Sequence, residues 1–158
     1  MRIAHRIAIA APAADVWRVL SDVEGWPAWL PTVTAARGLH GPRLTAGNRF
    51  RLTQPAQRAA VWRVDAVRLG TGFSWRREDG VFAAYHRIEP RGAGCAVHTV
   101  LMGRAISPLL WGALRPLLTL AVAAEGHALR RACAARRGPS GPPRITDDTT
   151  RPRHAAAH

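Results

Sequence analysis

The chain has 158 residues, room for one domain with a core large enough to enclose a cavity and too few for two comfortable domains. Its 23 basic residues are all arginine and outweigh 10 acidic ones, for a net charge of +13 that raises the question of a nucleic-acid or anionic-membrane partner. The arginines are scattered rather than clustered and accompany heavy use of Ala and Gly with no Lys, a pattern of G- and C-rich codons that argues against nucleic acid.

Residues 2–9 place Ile3, Ile7 and Ile9 on one alternating face and read as a first strand. Arg2, His5 and Arg6 interrupt that stretch, so it lacks the apolar core of a signal peptide. Ala11 to Asp15, with Pro and an acid in the first turn, start a short helix that runs through Leu20 and buries Val16, Trp17 and Leu20. Asp22 caps a second short helix carrying Trp26 and Trp29 until Pro31 stops it. Trp26 is the lid candidate.

From residue 32 onward the pattern is strand and turn. Reversals at 41–48, 54–57, 70–72, 79–80 and 91–94 separate six strands, so the sheet has seven, mostly antiparallel. A side-chain period of two then fixes the faces. Phe50 opposes Trp62, Leu52 opposes Ala60, Phe73 opposes His86, Trp75 opposes Ala84, His86 opposes Thr99 and Ile88 opposes Val97. Val64 and Ala66 join this apolar face. Arg49, Arg51, Arg63, Asp65, Arg76, Arg87 and His98 fall on the other.

Residues 107–136 form the last element, a helix spanning roughly 45 Å at about 1.5 Å per residue. Ser107 and Pro108 mark its start, and Arg136, Arg137, Gly138 and Pro139 mark its end. Leu110, Leu114, Leu118 and Ala121 recur at helical spacing and are expected to meet the sheet. Arg115 and Pro116 in its middle argue against a membrane span and predict a kink or break, because an interior proline costs about 3 kcal/mol. Peripheral membrane contact through the same face stays open. Beyond Gly138 the polar composition predicts a disordered tail over 138–158. Cys95 and Cys133 stand alone, which suits buried thiols and a cytoplasmic location.

The segments Ala11-Pro12-Ala13-Ala14-Asp15-Val16-Trp17, Leu20-Ser21-Asp22 and Trp26-Pro27-Ala28-Trp29-Leu30-Pro31, followed by a Gly47-led strand and a long last helix, resemble the SRPBCC superfamily. Gln54-Pro55, Val61-Trp62-Arg63-Val64 and Gly94-Cys95-Ala96-Val97 look like its bacterial polyketide cyclase/dehydrase-like branch. The resemblance covers about residues 1 to 136. It implies an α+β helix-grip (START-like) fold, a seven-stranded curved antiparallel sheet wrapped around the C-terminal helix with two short helices after the first strand, in one ligand-binding domain at 1–137. It also implies a hydrophobic pocket in which many members bind lipids, aromatic polyketides or hormones without chemistry, and it puts Trp29 where family members pin the short helix against the sheet, so Trp29 is expected in the core.

Residues and resemblance together point to binding of a small hydrophobic ligand between sheet and helix. The expected lining is Phe50, Trp62, Val64, Phe73, Trp75, His86, Ile88, Thr99, Leu110, Leu114 and Leu118, since pockets of this kind are aromatic and apolar with few polar groups. His86 is the candidate acid or base for a cyclisation or dehydration, although no Asp or Glu is evidently aimed at it. Arg77, if turned inward at its strand end, would suit a ligand carboxylate. No metal spacing, phosphate loop or nucleophile triad occurs, so no cofactor or metal is expected. The alternative is a basic interaction module using the outer arginines on nucleic acid or an acidic partner.

Overall fold

The computed structural model describes residues 1–55, 57–104 and 107–137. The tail expected at 138–158 lies outside the described residues. Strand β1 (Arg2–Ile9) leads into helix α1 (Ala13–Ser21) and a 3-10 helix (Val23–Ala28). Strands β2 (Ala35–Gly38), β3 (Arg49–Thr53), β4 (Ala60–Arg68), β5 (Gly72–Arg77), β6 (Phe82–Arg91) and β7 (Gly94–Gly103) follow, and helix α2 (Pro108–Arg137) closes the chain. The strands form one antiparallel sheet in the order β1-β7-β6-β5-β4-β3-β2. This is the helix-grip arrangement of curved sheet and long C-terminal helix.

Local chemistry accounts for the elements. Asp22 accepts a hydrogen bond from the Gly25 amide at 3.2 Å and starts the 3-10 helix, while Ser107 Oγ accepts from the Leu110 amide at 3.2 Å and starts α2. Across the hairpins the expected partners face each other, including Phe50 with Trp62, Phe73 with His86 and His86 with Thr99. One expectation fails. A bulge between Val64 and Ala66 reverses the alternation of β4, so Ala66 turns outward and Val67 takes its place opposite Phe73.

Helix α2 corrects two more. Of the kink or break expected at Pro116, the break is absent: α2 continues through the proline as a single helix. Its grip is also uneven: Ala128, Leu129 and Cys133 are buried in the main core, whereas Leu109, Leu110, Leu117 and Leu120 are exposed. The helix packs chiefly on β1, with β7 and α1 beside it. Gly126 permits the approach, because a Cβ there would sit 2.9 Å from His5 Cδ2. Pro108–Arg136 is long and apolar enough to cross a membrane by length and composition only, with Arg115 and Pro116 inside it.

Candidate functional site

Because α2 lies along β1, a gap remains between its residues 117–125 and the apolar face of β4 to β7. The gap is a cavity of about 310 Å³. Trp26 and Leu30 close one end, Trp62, Trp75 and Ala84 form the sheet wall, and Leu118, Ala121 and Val122 form the helix wall. Aromatic rings meet edge-on or tilted around it, Trp75 lying 5.3 Å from Trp26 and 5.1 Å from Trp62.

Arg77, His86 and Glu125 are the ionisable groups that line this largely apolar space, and two of them, His86 and Glu125, face each other. His86 comes from the inward-facing row of β6, stacked on Phe73 at 4.7 Å. Glu125 comes from α2, one residue before the glycine that lets the helix approach β1. His86 Nδ1 lies 3.3 Å from Glu125 Oε1 and 3.4 Å from Thr99 Oγ1. Burial pushes His86 down to about 4 and Glu125 up to about 7, in each case because desolvation disfavours the charged form. At mildly acidic pH the pair is therefore a neutral imidazole beside a protonated carboxyl, whose O–H can donate to Nδ1. Once Glu125 ionises, the ring proton sits on Nδ1 and donates to the carboxylate instead. The pair thus gains or loses one proton near neutral pH, at Glu125, while the imidazole stays neutral and only changes tautomer, a property suited to a general acid or base.

Residues 1–134 match the family model described as polyketide cyclase/dehydrase and lipid transport. The chain belongs to this family. No curated protein matches the sequence. Among solved structures, a START superfamily protein from Mycobacterium smegmatis superposes with a TM-score of 0.73 at 16% identity, covering 85% of this chain and 98% of that one. A protein from Thermobifida fusca gives 0.73 at 22% identity over 85% and 93%. A norcoclaurine synthase point mutant from Thalictrum flavum, solved with a transition-state analogue, gives 0.68 at 17% identity over 87% and 96%. At these identities the likeness is one of fold.

Of the residues read from sequence, Trp62, Trp75, His86, Thr99 and Leu118 line the cavity of this family member. Phe50, Val64, Phe73 and Ile88 are packed in the core behind its wall. Leu114 is half-buried and Leu110 is 52% exposed, because the first turns of α2 direct Trp111 rather than Leu110 onto Ile3 and Gly103. Neither is among the lining residues. Trp26 is a fixed wall rather than a lid: it is buried, and its Nε1 donates to the Leu20 carbonyl at 3.1 Å. Trp29 is half-buried beside it, with ring centres 6.1 Å apart.

Sequence reasoning missed Glu125, the acidic partner of His86. A signal was present. Glu125 is the lone acid of α2, and it continues the row Leu118, Ala121, Val122 at helical spacing. Arg77 also reaches the cavity. It sits opposite Trp62, with its guanidinium 5.7 Å from the centre of the Phe82 ring and hydrogen-bonded through Nη2 to Asp79.

Proposed function

We propose that the protein binds a small, largely apolar ligand in the cavity between the sheet and α2. The observation that carries this reading is the cavity itself, an apolar space of about 310 Å³ walled by tryptophans, with polar groups gathered at a few points. The family's description, which spans cyclases, dehydrases and lipid transport, supports the same conclusion. Buried thiols at Cys95 and Cys133 suit the reducing cytoplasm in which we place it.

The test is a titration with N-phenyl-1-naphthylamine, a neutral apolar fluorophore. Binding saturates at one dye per chain and quenches tryptophan emission, since Trp26, Trp62 and Trp75 all border the space. No quenching up to the solubility limit of the dye overturns the reading.

The His86–Glu125 pair supports an enzymatic extension, in which the two groups move a proton during a cyclisation or dehydration of the bound molecule. The outer sheet face favours the basic-module alternative less. Arg76 Nε pairs with Asp65 at 3.1 Å and Arg49 Nε with Glu78 at 3.1 Å, while Glu89 takes Arg91 at 3.3 Å and His98 at 3.2 Å. These pairs reduce the free positive charge of that face and so weaken its pull on a polyanion.

A further inference from the structure

We infer that the ligand carries an anionic head group, a carboxylate or its equivalent, which Arg77 and Trp62 receive at one side of the cavity. This rests on the cavity reading above and names the chemical class of its occupant.

Arg77 is the last residue of β5 and lies directly across the ladder from Trp62, and both line the cavity. The Arg77 side chain is 20% exposed, unusually low for an arginine on a strand end. Asp79 engages only its Nη2 edge, and Asp79 is itself fixed by accepting from the Val81 amide at 3.0 Å. Phe82 lies under the guanidinium plane. One edge and one face of the group are thus held in place.

Arg77 Nε is buried with no hydrogen-bond partner among the described residues, and so is Trp62 Nε1 on the neighbouring strand. Trp75 Nε1, on the same wall, is a third such donor. Buried donors are almost always satisfied, so a cluster of them beside a cavity marks where an acceptor belongs. Gln54, Gln57 and Thr32 also line the cavity, yet none of them bonds these donors, and Asp79 is committed to Nη2 and to Val81. Glu125 does not serve either, being paired with His86 on α2. A carboxylate suits such a set: it has no donor of its own and two acceptor oxygens, one for the guanidinium Nε–H and one for an indole N–H. The apolar body of the same molecule then extends over the tryptophans towards Leu118 and Val122.

The experiment displaces N-phenyl-1-naphthylamine with 2-naphthoate and with its neutral isostere 2-naphthamide, at about pH 6, where Glu125 keeps its proton. Naphthoate should displace the dye at concentrations about tenfold lower than naphthamide, the size of effect expected for hydrogen bonds to a charged group. Arg77→Gln should remove this preference, read as the ratio of the naphthoate and naphthamide displacement concentrations within the same variant. Trp62→Phe, which deletes the indole N–H and keeps the ring packing, should reduce it and decides the matter if Arg77→Gln fails to fold. Arg76→Gln, on the outer face, controls for the general positive charge and should change nothing. Equal displacement by the two naphthalenes, or a preference that survives both cavity variants, overturns the anionic head group while dye binding upholds the cavity. Absence of dye binding in the unaltered protein overturns both.

Discussion

His86 and Glu125 approach to 3.3 Å from elements that are 39 positions apart in sequence, and burial moves their proton affinities in opposite directions. In the unfolded chain the carboxyl releases its proton near 4.5 and the imidazole near 6.5, whereas in the folded protein these values are about 7 and about 4. Between pH 4.5 and 6.5 each state therefore holds one proton on the pair, on His86 when unfolded and on Glu125 when folded. The pair contributes no slope to stability in that window.

Breaking the pair exposes the two hidden slopes. With Glu125→Gln only His86 titrates; its lowered value means the folded state binds fewer protons, so stability rises with pH from about 4 to about 6.5. With His86→Gln only Glu125 titrates; its raised value means the folded state binds more protons, so stability falls from about 4.5 to about 7. Each change should be on the order of 3 kcal/mol, measured by urea denaturation at half-unit pH steps. Profiles parallel to that of the unaltered protein in both variants would show that the pair is not desolvated.

Filling the cavity separates binding from stability. Ala121 faces the space from α2 and is only half-buried, so Ala121→Trp can place an indole in the gap without displacing tightly packed atoms. Dye binding should fall by at least about tenfold while the melting temperature holds or rises, because added apolar contact replaces empty volume. Undiminished dye affinity would place the binding site elsewhere on the protein.

Much of this arrangement was readable from the chain. Turn residues fixed the hairpins, and the two-residue period then carried Phe73, His86 and Thr99 to one face with no further assumption. Ala66 was misplaced because a bulge changes the count within a strand and Asp65, the residue left over, has no distinctive chemistry. The rotation of α2 was harder to read. Leucines at 109, 110, 114, 117, 118 and 120 surround most of its first half, so the apolar pattern does not select one face. Only the small residues and the lone acid further along, Ala121, Glu125, Gly126 and Ala128, show which side meets the sheet. That ambiguity concealed the partner of His86.

The uneven hold on α2 predicts an uneven response to truncation. Leu129 is 1% exposed in the main core, and Leu129→Ala should cost about 3 kcal/mol. Leu117 is 64% exposed, and Leu117→Ala should cost less than about 0.5 kcal/mol. Chemical denaturation of the two variants checks this, and similar losses would mean that the first half of the helix is clamped as firmly as the second.

Gly72 tests how closely β5 must approach the strand that carries His86. Its φ of +154° is one that side-chain-bearing residues rarely adopt, and a Cβ there would fall 2.1 Å from the His86 carbonyl oxygen, an atom of the rigid ladder. Gly72→Ala therefore has to separate β5 from β6 at the position where Phe73 stacks on the imidazole. The expected loss is about 2 kcal/mol or more in denaturation, together with weaker dye binding as the His86 ring loses its support. Gly80 is the control. Its φ of +75° also favours glycine, but a Cβ there meets nothing, so Gly80→Ala should cost only about 1 kcal/mol and leave dye binding unchanged. Equal effects at the two sites would mean that backbone conformation alone sets the cost, and that contact with the His86 strand does not restrict residue 72.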